Sequence, residues 1–474
     1  LTALAALWYS WLRIFQSRLG GNILSYNLGL ISLGCPKNLV DSEIMLGAFK
    51  EKGFVPVQDL SRADAIIVNT CAFIGDAKEE AIVTILDAAR HKEEGRCKAM
   101  VVTGCLAERY REEIIKEIPE VDLVFGTGSI PIVAERTRAF LDGERLERHV
   151  WCDIPDTVDY LDGSRILSDN KPYAYLKIAE GCSNNCTYCI IPKLRGPYRS
   201  RPLESLVKEA EYLAGQGKKE IILIAQDVTR YGVDLYGEKR LVDLIRSISL
   251  IGGIQWIRLL YCYPELIDDA LIREMKNNGK LLPYMDIPIQ HISDKVLKAM
   301  GRRGSGEYIE TLVKRLKTEI PHIALRTSLI AGFPGETEDD HLKLAEFVRQ
   351  GYFQHLGVFA YSREEDTPAY RMKGQVPARV KAARRKALME IQRENAARFS
   401  SSRIGKTYDT MIDGVAEDGI FYLGRTYMEA PEIDPVIYVA SPHPLDIGAV
   451  VKVRMICSQD YDLIGEVTGD ESSE

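Results

Sequence analysis

Three cysteines fall within one short run, Glu180-Gly-Cys182-Ser-Asn-Asn-Cys186-Thr-Tyr-Cys189, soon after the apolar stretch that begins at Tyr173. A loop at the end of a strand must therefore present three thiols to one place. The spacing of three residues and then two suits one corner-sharing iron-sulfur cube and leaves its fourth iron without a protein ligand. Clusters that only carry electrons normally have four cysteine ligands, so the open iron implies a substrate held on the cluster itself. A structural zinc site is the competing reading. Such sites usually pair C-x2-C units and reach four ligands, and no histidine or second cysteine pair follows nearby.

With 474 residues the chain has room for about three domains of roughly 150 residues each. From Leu28 to about Asp142, strand-length apolar runs (Leu28–Leu33, Ala65–Asn69, Ala99–Thr103, Val121–Phe125) alternate with helical periodicity near 40–52, 76–91, 108–117 and 131–141. That βαβ rhythm predicts an open parallel sheet whose ligand crevice lies at the carboxyl ends of its strands. Cys35, Cys71 and Cys105 each follow one of these strands. Parallel strands bring their carboxyl edges side by side, so the three converge as candidate ligands of a second cluster. The alternative is three unrelated buried cysteines, since free cysteine is a common core residue. Cys97, Cys152, Cys262 and Cys457 share no such pattern and read as ordinary core or surface residues.

A linker rich in Asp, Pro and Gly occupies 153–169, and a second βα series follows. Its strands are expected near 173–179, 220–226, 255–262, 284–290, 324–331 and 355–361, with helices near 202–215, 239–250, 266–278, 293–300, 306–317 and 337–350. Six such units suit a partial (β/α)6 barrel with its active face at the strands' carboxyl ends, where the cysteine triplet sits. A basic helical stretch, Arg379–Arg398, reads as a solvated face carrying Lys381, Arg384, Arg385 and Lys386. Short β runs from Lys406 onward, broken by Gly and Pro, predict a small all-β barrel. The fold class is thus α/β with an all-β tail, divided as 28–150, 168–400 and 401–471.

Residues 1–27 read as an extra N-terminal segment, disordered or artefactual. Leu1 to Leu12 is apolar or neutral and precedes Arg13 and Arg18. That is the wrong order for a secretory signal, and the run is too short to span a bilayer. Ten cysteines, six of them in two sets of three, argue for metal ligation over disulfides and so for the cytoplasm. The net charge is −7, but residues 401–474 carry 5 Lys/Arg against 14 Asp/Glu, a net −9.

With both cysteine sets in place, the chain resembles the radical S-adenosylmethionine methylthiotransferases from about residue 28 to 470. The resemblance implies two 4Fe-4S clusters. Cys182, Cys186 and Cys189 would hold the radical-generating one, and Cys35, Cys71 and Cys105 an auxiliary one in the N-terminal domain. It also makes the C-terminal barrel a TRAM-like domain that recognises substrate. The stretches Gly34-Cys-Pro-Lys-Asn-Leu-Val-Asp-Ser-Glu43, Cys189-Ile-Ile-Pro-Lys-Leu-Arg-Gly-Pro-Tyr-Arg-Ser-Arg201 and Ala430-Pro-Glu-Ile-Asp-Pro435 are similar to one branch. That branch adds a methylthio group to the β-carbon of an aspartate in small-subunit ribosomal protein twelve. The alternative branch acts on adenosine in tRNA and typically reads Gly-Cys-Gln-Met-Asn at the first cysteine.

Charge supports the ribosomal-protein branch. A barrel that binds RNA should be basic, whereas an acidic one suits a basic ribosomal protein, so RNA binding is not expected to dominate; the acidity could also serve solubility alone. The resemblance further places Tyr188 against the adenine of S-adenosylmethionine and makes Gln226, Asp227, Arg326, Ser328 and Gly332 candidate contacts to that cofactor. It implies that one S-adenosylmethionine methylates a sulfur carried by the auxiliary cluster, while a second yields the 5′-deoxyadenosyl radical that abstracts hydrogen from the aspartate. A reductant such as flavodoxin or ferredoxin is the expected electron partner, and no membrane is involved.

Overall fold

The computed structural model describes residues 25–459 and 461–468. Most of the N-terminal segment expected over 1–27 lies outside that range, and Tyr26 already opens the first strand. The first unit is a sheet in the order β2-β1-β3-β4-β5-β6, made of Tyr26–Ser32, Phe54–Pro56, Ala65–Thr70, Ala99–Gly104, Leu123–Phe125 and Val150–Trp151 numbered along the chain. Every pairing is parallel. β3 and β4 are buried along their whole length, as parallel strands covered on both faces must be. The short β2 and β6 carry too few apolar residues for their alternation to show in sequence.

The second unit is six parallel strands in the order β14-β13-β12-β11-β10-β7. They are Tyr173–Lys177 (β7), Glu220–Ile224 (β10), Trp256–Leu259 (β11), Leu281–Asp286 (β12), Ala324–Ala331 (β13) and His355–Ala360 (β14). Between β7 and β10 the pair β8 (Ala179–Glu180) and β9 (Arg199–Ser200) runs antiparallel and ties together the two ends of the segment that holds the cysteine triplet. The last unit is a closed barrel, β15-β16-β17-β19-β18, over Thr407–Val415, Tyr422–Arg425, Ile437–Ala440, Val450–Gln459 and Asp462–Val467. Among the described residues no helix is long and apolar enough to cross a membrane.

One hydrophobic core spans all three units, joining Leu28, Val40 and Phe49 to Tyr173, Tyr175, Ile222 and Tyr284 and then to Met411, Met428 and Ala430. The helix Pro36–Glu51 packs along β7, the edge strand of the second sheet. From the other side, segment 425–434 reaches the same sheet. Tyr284 donates to Asp434 at 2.7 Å, Arg258 donates to the Tyr427 carbonyl at 2.8 Å, and Arg425 pairs with Glu220 at 2.8 Å.

One charge reading changes here. The basic helix, Ala378–Arg403, is only partly solvated: Arg384 is buried and bonds Glu336 at 3.0 Å, and Lys381 donates to the Tyr361 carbonyl at 2.7 Å. Lys386 is 79% exposed, with only Glu390 of its own helix near it at 3.8 Å, and Arg385 is exposed as well. In the acidic tail, Asp413, Glu429 and Asp434 are engaged internally with Arg425, Arg403 and Arg326. Only the Asp434 pair draws its cation from outside the tail, so the remaining barrel surface stays acidic.

Candidate functional site

β1, β3 and β4 are neighbours in the first sheet, and their carboxyl ends carry Cys35, Cys71 and Cys105. Cys35 caps the helix Pro36–Glu51, its carbonyl accepting from the Asn38 amide at 2.9 Å. Gly34 makes the approach possible. At φ +90 it takes a left-handed turn, and a Cβ there would lie 2.8 Å from the Cys71 Cβ. Gly104, at φ +92, does the same before Cys105, pressed against Asn69 and Thr70. Asn38 donates to the Leu33 and Thr70 carbonyls at 3.0 Å each, and Asn69 donates back to the Asn38 carbonyl at 2.9 Å. The three strand ends are thus stitched into one floor. A charge on any of the three thiols is felt by its neighbours.

The triplet is held as firmly. Gly181, at φ +74, packs against the Pro197 carbonyl, and the Cys182 amide donates to the Gly196 carbonyl at 3.1 Å. Thr187 anchors the middle of the loop through the Met300 and Ala299 carbonyls at 2.9 and 2.8 Å. Cys186 Sγ lies 4.0 Å from the Tyr263 hydroxyl, and Arg302 stacks 3.9 Å from the centre of that ring.

The two trios meet through Arg195, which ends the short helix after Cys189. It is fully buried and donates to Glu180 at 2.9 Å, to Asp41 at 3.1 Å and to Asn38 Oδ1 at 2.5 Å. Lys177 completes the group, bonding Asp41 at 2.6 Å and pairing with Glu180. Two acids and two bases balance where none is more than 5% exposed, the condition under which buried charges are tolerated.

This environment sorts the thiols. Burial would raise Cys35, but Lys37 and Arg195 with two backbone donors bring it below the ordinary thiol value. Burial pushes Cys105 up to about 12 despite Arg195 beside it, and raises Cys71 less. In the triplet, burial raises Cys182 and takes Cys189 to about 12. Neutral thiols so costly to ionise alone are suited to bonding an electropositive partner that takes the proton's place. A zinc ion needs ligands converging on one point, and among the described residues no three Cys, His, Asp or Glu do so. A cube would take three thiolates on three separate irons, and each trio brings its cysteines to one place, on one loop or at three adjacent strand ends.

The other sequence candidates part company. Tyr188 lies beside the triplet and meets Phe333 edge-on with ring centres 6.4 Å apart. Gln226 leaves its buried Oε1 without a hydrogen-bond partner, as a cofactor contact would. Asp227 is already taken, accepting from Asn184 of the triplet loop at 3.0 Å and from Thr229 at 2.5 Å. Arg326 bonds Asp286 at 3.0 Å and reaches the barrel's Asp434 at 3.3 Å, and Ser328 lies two residues on along β13. At Gly332, φ +76, the close approach is filled by Lys381, 2.2 Å from where a Cβ would stand.

Lys37, Lys177, Glu180, Arg195, Tyr261 and Tyr263 were not singled out from the sequence. Lys177 had a signal, a lone charge at the end of an otherwise apolar strand. The others became visible only through contacts with residues distant in sequence.

Residues 27–126 match the family described as uncharacterized protein family UPF0004, 176–348 match the radical SAM superfamily, and 404–468 match the TRAM domain. The ribosomal protein uS12 methylthiotransferase RimO of Acetivibrio thermocellus is 55% identical over 94% of this chain and 99% of its own length. The proteins of the same name from Lachnoclostridium phytofermentans and Trichlorobacter lovleyi are 54% and 50% identical over 92% and 94% of this chain, and 98% and 99% of theirs. Among solved structures, the radical S-adenosylmethionine methyltransferase TsrM from Kitasatospora setae, with cobalamin and a [4Fe-4S] cluster bound, shares the fold. Its TM-score is 0.55 at 15% identity, over 73% of this chain and 74% of that one.

Proposed function

The chain belongs to the ribosomal protein uS12 methylthiotransferase family, RimO, and we propose that it places a methylthio group on the β-carbon of an aspartate of that ribosomal protein with two iron-sulfur clusters. It is an S-adenosylmethionine-dependent transferase of a sulfur-containing group that uses an iron-sulfur cluster. The observation carrying the two-cluster reading is the pair of cysteine trios at the carboxyl ends of two parallel sheets, joined across their seam by Arg195.

Cys182, Cys186 and Cys189 would hold one cluster and Cys35, Cys71 and Cys105 the other. When bound, these groups supply one-electron reduction of the S-adenosylmethionine sulfonium and a store of transferable sulfur. The protein's share is placement. Tyr188 and the unpartnered Gln226 Oε1 offer the cofactor a ring edge and an acceptor, and Asp227 and Thr187 keep the triplet loop still. Arg326 and Asp227 act here by bracing neighbours. In this reading 28–150 carries the auxiliary site, 168–400 the radical site, and 401–471 the substrate-facing barrel. A flavodoxin- or ferredoxin-type donor supplies electrons, and the substrate sets the place of action in the cytoplasm.

The test is anaerobic reconstitution with iron and sulfide, followed by incubation with S-adenosylmethionine, a reductant and either uS12 or tRNA. About eight irons per chain and a methylthio mass gain on uS12 are expected. Iron for a single cluster, or modification of the tRNA alone, sinks the proposal.

A further inference from the structure

The segment Tyr261-Cys262-Tyr263 at the carboxyl end of β11 touches the radical triplet and, through Lys37, the loop that carries Cys35. Tyr263 meets Cys186 at 4.0 Å, while Tyr261 lies close enough to Cys35 to feel its charge. Tyr261 takes φ +64, a left-handed conformation rare for a bulky residue, and is held there by Asp286, which accepts from its amide at 3.0 Å. Strain of this kind persists where surrounding structure enforces it, and it clusters at functional sites.

Over the face of Tyr261, 3.1 Å from the ring centre, sits the ammonium of Lys37. Lys37 comes from the first unit, two residues after Cys35, and is 6% exposed. The cations around it are matched. Lys177 and Arg195 balance Asp41 and Glu180, and Arg326 takes Asp286 and Asp434. Lys37 alone among these has no carboxylate within pairing distance and no hydrogen-bond acceptor among the described residues. The Cys35 thiolate offsets its charge in part but accepts no hydrogen bond from it, so the ammonium keeps its donors for an arriving carboxylate. The ring face holds the charge in place without neutralising it.

We propose that Lys37 is the residue that receives the side-chain carboxylate of the substrate aspartate, binding it between the two trios. This rests on the reading that the substrate is an aspartate of uS12. The consequence is selection by charge: the carboxylate completes the site, and a carboxamide of the same shape leaves the ammonium unpaired.

The experiment measures binding of uS12, and of uS12 with the target aspartate changed to asparagine, to the cluster-loaded enzyme and to its Lys37→Met and Lys37→Arg variants. The wild-type enzyme should favour the aspartate form by about tenfold or more, the range of a charge-assisted hydrogen bond. Lys37→Arg should keep a preference and Lys37→Met should bind both forms alike. A wild-type enzyme that binds both equally overturns the inference without any variant, as does a Lys37→Met enzyme that discriminates as well as wild type. If the wild type methylthiolates uS12 yet shows no preference, only this inference fails; if uS12 is never modified, the broader reading fails and takes this one with it.

Discussion

Arg195 donates to Asn38 Oδ1 at 2.5 Å, so the helix that follows the radical triplet grips the first turn of the helix that Cys35 caps. Replacing Arg195 with Met strands Asp41 and Glu180 with only Lys177 between them. We expect a loss of about 3–5 kcal/mol, as for other broken buried pairs, and poorer iron retention at Cys35, Cys71 and Cys105 than at the triplet. Arg195→Lys should recover little, because an ammonium's three donors leave one nitrogen and cannot span acceptors that Arg195 reaches from two. Denaturant titration and iron analysis of the three proteins check this, and a Met variant as stable and iron-loaded as wild type refutes it.

Gly34→Ala places a methyl group 2.8 Å from the Cys71 Cβ and 3.2 Å from its sulfur, on a backbone at φ +90. The auxiliary trio should spread and lose its share of the iron, about half the total. Gly143 has φ +81 but nothing within 4 Å. Gly143→Ala should therefore cost only about 1 kcal/mol of backbone strain and leave iron content unchanged. Equal iron in the two variants would show that backbone crowding does not set the trio.

Acid should weaken the fold through His291. Burial holds this imidazole neutral, down to about 3 from its ordinary 6.5, and Nδ1 accepts from the Ser293 amide at 2.9 Å. The folded value lies below the unfolded one, so the contribution is complete above pH about 6.5 and fades as pH falls toward the folded value, at no more than about 1.4 kcal/mol per pH unit. Thermal midpoints of wild type and His291→Asn between pH 7 and pH 5 should converge as the pH drops. A constant gap removes His291 as the source.

Arg425 sits at 2% exposure between Asp413 of the barrel and Glu220 of the central sheet. Arg425→Met leaves Glu220 with Arg258 alone and should destabilise docking of the barrel by about 3–5 kcal/mol. Limited proteolysis should then cut between residues 403 and 407, where the last helix passes into β15. Unchanged resistance there would mean that the apolar contacts of Met411, Met428 and Ala430 suffice.

The architecture was legible wherever an element was long and its period clear. Residues 65–68 and 99–102 announce buried strands by four apolar residues in a row, and the cysteines that follow mark the candidate site by position. What stayed hidden was set by contacts far apart in sequence. Glu43 with Arg165 and Lys177 with Asp41 are ion pairs between distant parts of the chain, and beyond the lone charge Lys177 places at its strand end no local pattern marks them. Two-residue strands such as Ala179–Glu180 and Arg199–Ser200 are too short to show alternation. Arg326 and Gly332 read as cofactor contacts through the family resemblance; their contacts to Asp286, Asp434 and Lys381 lie far off in the sequence and could not be seen there.

The antiparallel clasp of β8 and β9 fixes both ends of the triplet segment, and Arg195 within it is bolted to the neighbouring unit. The contacts that seat the radical triplet are thus the same ones that join the first two units, so loosening Arg195 disturbs ligand placement and domain docking together.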